Sequence, residues 1–337
     1  MILSICILTY NRSYTLIETL DSILSQVGNN SDVEVLVSDN GSTDNTEQII
    51  QSYLTCFLNL RYYRNETNLG FDGNVIQCIE HAKGDYLSLF SDDDIALPGT
   101  FTRIIDELLN THPVILCVNH HPFQASDPGL HFPDIFPKID QVFTDGKNYL
   151  LFADLGFISS LTFSSEAAKR YIASIEVGLG HAHLEVAIRL ALTIEGIFVF
   201  LGTISIAARI PETPAYDWFT SGALNKAILY QRLRSEGIID KFITRRQIDS
   251  IIRHNVVRFI LFKKCIGDYE SLDKEKALII STFKGYIDFY ILVIPILFCP
   301  RFLLVGPYVF LRHINRLIKK WRYGKFQKNP LLKGRSA

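Results

Sequence analysis

Residues 33–44 read V-E-V-L-V-S-D-N-G-S-T-D. Val33–Ser38 is an apolar run of buried-strand length. It stops at Asp39 and gives way to Asn40-Gly41-Ser42-Thr43-Asp44, residue types that turn a chain and cap a helix. Asn45–Leu54 can then continue as a helix. The pattern recurs on both sides. Upstream, Ile2–Leu8 is an apolar run that ends at Thr9-Tyr10-Asn11-Arg12, after which Tyr14–Gln26 sets Leu16, Leu20, Ile23 and Leu24 on one helical face. Downstream, Leu60–Arg64 reads as a third strand and Asn74–Ala82 as a third helix. Tyr86–Phe90 is a fourth strand, ending at Ser91-Asp92-Asp93-Asp94. Strand–helix alternation with short connections predicts an α/β fold, a parallel sheet with helices on both faces. Ligands bind such sheets beyond the carboxyl ends of the strands. Thr9–Arg12, Ser38–Asp44 and Ser91–Asp94 are therefore expected on one rim.

The rest of the chain carries weaker signals. Residues 112–150 are rich in His, Pro, Phe and Asp without a sustained period, which predicts long loops. Phe157–Phe163 reads as a strand and Leu184–Thr193 as a helix entered from Gly178-Leu179-Gly180-His181-Ala182-His183. Residues 219–283 read as mostly helical. The six cysteines are widely spaced, with no C-x-x-C pair, and are expected to be reduced thiols of a cytoplasmic protein. Ile2–Leu8 is too short and lacks the basic flank of a secretory signal.

Charge is distributed unevenly. The formal net charge is -1, from 34 Lys and Arg against 35 Asp and Glu. A near-neutral total argues against a nucleic-acid-binding surface. Asp288 is the last acidic residue, and ten Lys and Arg follow it, so residues 1–288 carry -11 and the tail +10. Tyr286–Leu311 is strongly apolar but interrupted by Asp288, Pro295, Pro300, Arg301, Gly306 and Pro307, so no single clean span of about 20 residues is expected. His313–Tyr323 opposes Ile314, Leu317, Ile318 and Trp321 to Arg316, Lys319, Lys320 and Arg322. That pattern predicts a helix lying in an anionic headgroup layer, the alternative being a helix packed on the protein's own core.

Three adjacent carboxylates at a strand end repel one another unless a cation neutralises them. Their hard oxygens suit Mg²⁺ or Mn²⁺, which take one or two carboxylates and complete their shells with substrate phosphates and water. A solvated acidic turn capping the next helix is the plainer reading, and the strand before it and Asp39 nearby weigh against it. Asp39 is positioned to accept hydrogen bonds from a nucleobase or ribose. Asp44 is expected to be structural. Asn68-Leu69-Gly70, followed by Phe71-Asp72-Gly73-Asn74, can turn backbone donors toward a phosphate.

T-Y-N-R at 9–12, S-D-N-G-S-T-D at 38–44, N-L-G at 68–70, A-K-G-D-Y at 82–86 and S-D-D-D-I-A-L-P at 91–98 together resemble the family 2 glycosyltransferases of the GT-A fold. The match covers about the first hundred residues. A Ser159-Ser160 pair extends a resemblance to the abequosyltransferase-like enzymes of bacterial O-antigen assembly to about residue 200. The resemblance implies a Rossmann-like, mostly parallel sheet flanked by helices, with a helical, membrane-associating C-terminal region. With the patterns read above it divides the chain into a catalytic domain over 1–215, a helical extension over 216–285 and an apolar, basic tail over 286–337. It implies an inverting, metal-dependent hexosyl- or deoxyhexosyltransferase with a nucleotide-diphosphate sugar donor, and the basic tail adds the expectation of a lipid-linked oligosaccharide acceptor at the cytoplasmic face of the bacterial inner membrane. The donor contacts it implies are Thr9, Tyr10, Asn11, Arg12, Asp39, Asn68, Gly70, Asn74, Asp92 and Asp93, with metal at Asp93 and Asp94. One departure stands out. Alignment on Ile95 and Pro98 puts Ser91 where relatives carry the first Asp of D-x-D, and the register Asp92-x-Asp94 is the alternative.

Inverting transfer needs a base for the acceptor hydroxyl. The family's base opens a helix of the form E-D-x-x-L-x-x-R-L. The matching stretch here, anchored by Arg189-Leu190, puts His183 at that position, with Glu185 as runner-up and a helix cap as the plain reading of His183. An imidazole titrates near pH 6.5 and can act as a base at neutrality. A non-catalytic nucleotide-sugar or glycan-binding module is the second reading. A nucleotidyltransferase is rejected, because Thr9–Arg12 offers one Arg and no Gly.

Overall fold

The computed structural model describes residues 1–124, 138–153, 155–210, 219–300 and 303. The chain divides into two compact units, Met1–Asp217 with Gln231–Asp240, and Trp218–Tyr230 with Lys241–Ala337. In the first unit the alternation holds: β1 (Leu3–Thr9), α1 (Ser13–Val27), β2 (Val33–Asp39), α2 (Thr46–Leu54), β3 (Leu60–Arg64), α3 (Gly70–His81) and β4 (Tyr86–Ser91). These four strands are parallel, in the order β3-β2-β1-β4. Every residue of β1 and β2 is buried, as expected for central strands covered on both faces. Ile5, Val35, Leu20 and Ile23 belong to one core cluster. A Leu→Ala change at such a fully buried position typically costs ~2–5 kcal/mol.

The A-K-G-D turn into β4 is held from below. The buried Glu34 carboxylate accepts from the Ser4 hydroxyl (2.5 Å), the Arg61 guanidinium (2.6 Å) and the Lys83 amide (2.6 Å). Gly84 is required there, because a Cβ would stand 2.6 Å from the Ser4 nitrogen.

The second half of the sheet departs from the parallel pattern. β5 (Ile95–Ala96), α4 (Thr100–Thr111), β6 (Ile115–Phe123), β7 (Gln141–Phe143), α5 (Gly146–Phe152), β8 (Leu161–Ser164), α6 (Ser165–Lys169), α7 (Ala182–Thr193) and β9 (Phe198–Arg209) complete the unit. β8 lies antiparallel between β4 and β6, β6 runs parallel to β9, and β5 and β7 pair with β9 antiparallel. The 112–150 region thus holds a nine-residue strand where loops were expected. Only its first half, I-L-C-V, is an apolar run, and N-H-H-P-F continues the ladder to the rim. The expected strand 157–163 is shorter and shifted: Ile158–Ser160 is a 3₁₀ turn, and pairing begins at Leu161.

The second unit is helical among its described residues. Its elements include α8 (Lys226–Ser235, shared at its end with the first unit), α9 (Lys241–Ile251), α10 (Val257–Ile266), α11 (Tyr269–Phe283) and α12 (Ile294–Phe298). Phe219 stacks on Phe259 with ring centroids 3.6 Å apart. The amphipathic segment 313–323 and the basic tail lie outside the described residues. No helix among those described is long and apolar enough to cross a membrane.

Candidate active site

The register of the parallel strands sets Thr9 beside Asp39 and Leu8 beside Ser91. The three polar clusters therefore share one rim. They are also bonded to one another. Asn11 adopts a left-handed conformation (φ 51°), which costs a non-glycine residue about 1–3 kcal/mol. It is held by its amide to the Ser42 hydroxyl (2.9 Å) and by its Oδ1, which accepts from the Thr43 amide (2.7 Å). Asp44 accepts from Ser13 and Thr46 at the starts of α1 and α2, a structural role. Tyr10 stays 41% exposed at the rim.

Arg12, next in the loop, points its guanidinium at the acid cluster, 2.7 Å from Asp93 and 3.3 Å from Asp92. Burial disfavours its charge, but attraction to Asp92 and Asp93 wins and lifts its pKa above the ordinary value. The three acids differ. Asp94 is buried with both oxygens engaged, Oδ2 by the Ser159 hydroxyl (2.6 Å) and Oδ1 by the Arg209 amide (2.9 Å). Asp92 is buried against Arg12. Asp93, which also accepts from the Ser91 hydroxyl (2.6 Å), has the most exposed carboxylate of Asp92 and Asp93. Burial pushes Asp92 up to about 7, with repulsion from Asp93 adding and Arg12 opposing. Burial, then repulsion from Asp93, pushes Asp94 up to about 7 against the hydrogen bonds from Ser159 and Arg209.

Asp39 is fully buried. It accepts from the Tyr62 hydroxyl (2.7 Å) and the Ser42 amide (2.8 Å). Asn68 and Asn74 belong to a network of amides, with Asn74 buried and Asn68 exposed. Asn68 Oδ1 accepts from Asn40 and from the Gly70 amide, and Asn74 is buried against both the hydroxyl and the carbonyl of Ser38. These bonds tie the end of β2 to the start of α3.

His183 and Glu185 sit in the first turn of α7, and both are buried. His183 Nε2 lies 3.0 Å from the Gly156 carbonyl, which can only accept, so Nε2 carries the proton and Nδ1 is the basic atom. The Phe71 ring meets the imidazole edge-on at 5.5 Å. Glu185 is locked between two cations: Oε1 accepts from Arg189 (2.8 Å), and Oε2 pairs with Arg232. The helix is capped from elsewhere. The buried Asp72 carboxylate accepts the amides of Gly178 (2.8 Å), Gly180 (2.7 Å) and Ala182 (2.8 Å). One turn links the two sides of the site, since Gly156 holds His183 while Ser159 holds Asp94 and accepts from the Ser91 amide (2.9 Å).

Two contributors escape a reading of the sequence. Arg209 donates its Nε to the Asp93 carbonyl (2.8 Å), pairs with Glu18 and lies 4.9 Å over the Phe123 ring. Asp72 looks like an ordinary first-turn acid of α3. Their hydrogen-bond and ion-pair partners lie more than a hundred residues away, and no local pattern announces them.

Among the described residues no group of three or more His, Cys, Asp or Glu is arranged around a common metal position. A divalent cation that takes one protein carboxylate and completes its shell from a diphosphate and water could be held by Asp93, the more exposed neighbour of Asp92, if it displaced the Ser91 or Arg12 contact.

A mixed sheet with an acid loop at the carboxyl rim defines a GT-A-like domain. Residues 4–162 match the family described as glycosyl transferase family 2, so the chain carries a domain of that family. Abequosyltransferase RfbV of Salmonella typhimurium is 37% identical over 118 residues, 35% of each chain. A GalNAc(5)-diNAcBac-PP-undecaprenol beta-1,3-glucosyltransferase of Campylobacter jejuni is 28% identical over 106 residues, 31% of this chain and 34% of that one. The aligned segment spans about a third of these curated relatives. Two solved structures share the fold. S. aureus TarS 1-349 in complex with UDP-GlcNAc gives a TM-score of 0.58 at 19% identity, covering 75% of this chain and 72% of that one. The mannosyltransferase PcManGT of Pyrobaculum calidifontis, in complex with GDP-Man and Mn²⁺, gives 0.54 at 16% identity, covering 69% and 64%.

Proposed function

We propose that the chain is an inverting glycosyltransferase. It moves a hexosyl or deoxyhexosyl group from a nucleotide-diphosphate sugar to a lipid-linked glycan in bacterial surface-polysaccharide assembly, at the cytoplasmic face of the inner membrane. The observation that carries this reading is the acid loop, where one carboxylate, Asp93, is presented beside Arg12 at the carboxyl rim of a family 2 domain. The acceptor class rests on the Campylobacter relative, whose name gives an undecaprenol-linked glycan, and on the apolar, basic tail.

In this reading Thr9, Tyr10, Asn11 and Asp39 line the nucleoside end, with Asn68, Gly70 and Asn74 shaping the turn beneath it. Arg12, Asp92 and Asp93 face the ribose and diphosphate. A divalent Mg²⁺ or Mn²⁺ held by Asp93 would neutralise the charge that develops on the departing diphosphate. Asp94, more deeply buried than Asp93 and tied to Ser159 and the Arg209 amide, sets the loop's shape and stands behind Asp93 as the second metal candidate. The acceptor hydroxyl attacks the anomeric carbon as the bond from that carbon to the diphosphate oxygen breaks, and the hydroxyl proton passes to Nδ1 of His183. The two ion pairs of Glu185 count against the alternative, and Nδ1 of His183, buried in the free chain, must be uncovered as the acceptor binds.

The test is a donor-hydrolysis and transfer screen of nucleotide sugars with Mg²⁺ and Mn²⁺, repeated on Asp93→Ala and Asp94→Ala. Loss of turnover in Asp93→Ala and on chelation is expected, and turnover that survives both contradicts the metal-dependent reading. Ser91, standing where relatives carry an Asp, favours one alternative, a module that binds nucleotide sugar without turning it over. Donor binding with neither hydrolysis nor transfer identifies that case.

A further inference from the structure

Residues 287–298 form continuous helical turns, and their burial is the reverse of a soluble surface helix. Phe289, Val293 and Leu297 face inward. The outer face is also apolar: Ile287 is 55% exposed, Tyr290 56%, Ile291 61% and Phe298 60%. The acid of this segment, Asp288, does not interrupt that face. It is 8% exposed and paired with Arg253 at 2.5 Å. At the far end the ammonium of Lys276 lies 4.6 Å over the Phe298 ring. A contiguous exposed apolar stripe of this kind marks an interaction surface.

Charge selects the occupant. Beyond Asp288 the sequence contains ten Lys and Arg and no Asp or Glu. An apolar protein partner would need the stripe alone. A bilayer with anionic headgroups satisfies both, taking the apolar face at the acyl boundary and the cations in the headgroup layer. Since no described helix can cross a membrane, the stripe would lie along it. We propose that Ile287, Tyr290, Ile291 and Phe298 form a monotopic docking face for an anionic phospholipid surface. This deepens the membrane part of the proposed function and is independent of sugar transfer.

The experiment is flotation of the full chain, without donor, on phosphatidylcholine vesicles with and without phosphatidylglycerol. Binding to the anionic vesicles at low salt should exceed binding to neutral ones by about tenfold or more, and should weaken at high salt. The triple variant Ile287→Gln/Ile291→Gln/Phe298→Gln should lose about tenfold in binding. Val142→Gln, at a residue 60% exposed in the other unit, should bind like the unaltered chain. As a second measurement, Ile291→Trp should give a blue-shifted emission on anionic vesicles. Four results would overturn the proposal. They are a chain left behind by both vesicle types, a triple variant that binds undiminished, an Ile291→Trp emission that does not move, or a dimer that the triple variant converts to monomer. The last would make a second copy the occupant. Vesicle binding by a chain that turns over no nucleotide sugar would leave this face standing and remove only the transfer reading.

Discussion

The molecule buries two clusters of ionisable groups, and they are built on opposite principles. Around Glu185 every charge is paired with an opposite one: Glu185, Glu236 and the half-exposed Glu176 face Arg189 and Arg232. At the acid loop that is not so. Asp92, Asp93 and Asp94 crowd together, Arg12 spans two of them, and two of the carboxyls are pushed up to about 7. The paired cluster fastens α7 in place. The acid loop keeps an excess of negative charge that protonation or a bound cation would relieve.

The contrast can be broken at four places. Glu185→Ala should have the largest effect on stability, because it removes the one fully buried carboxylate that both Arg189 and Arg232 share and leaves Arg189 with Glu236 alone. A loss of ~3–5 kcal/mol in denaturant unfolding is expected. Asp93→Ala should do the reverse, lowering turnover by about 10²–10³-fold with the unfolding midpoint unchanged or raised. Asp72→Ala should come next. With three amides of the 178–182 loop released, transfer should fall roughly tenfold while nucleotide affinity, measured by calorimetry, stays near that of the unaltered chain. Faster hydrogen exchange at Gly178, Gly180 and Ala182 would report the loosened loop directly.

The smallest effect is in pH dependence. A carboxyl lifted to about 7 in the folded chain, against about 3.9 when unfolded, holds its proton preferentially in the native state. Between those values the native state binds more protons, so rising pH lowers stability, and the penalty is complete above about 7. Asp92→Asn removes that contribution. The difference in melting temperature between the variant and the metal-free unaltered chain should grow in the variant's favour from pH 5 to pH 8. A gap independent of pH would mean that Asp92 is ionised throughout.

The first hundred residues were legible because each strand there is an apolar run closed by polar punctuation, and parallel pairing then places the punctuation on one rim. Asp39, the acid loop and Arg12 could be singled out for that reason. The chemistry within the loop could not. Which carboxylate faces outward depends on Ser159 and Arg209, and neither sits near it in sequence. The strand expected over 157–163 began too early, because nothing in F-I-S-S-L-T-F marks where the 3₁₀ turn ends and β8 begins. β6 escaped because its polar second half imitates a loop. The sequence match at 183–190 found α7 but not its fastening, since Asp72 acts across more than a hundred residues.

Gly156 and Ser159 stand three residues apart in a single turn. One end fastens to the imidazole of His183 and the other to Asp94 and the Ser91 amide. A turn so short has no slack, so the spacing between the acid loop and the imidazole is written into the chain as a count of residues. Phe157 and Ile158 can vary while that count holds and residue 159 keeps its hydroxyl. A single inserted residue between 156 and 159 would shift the acid loop against the imidazole without replacing a side chain of either.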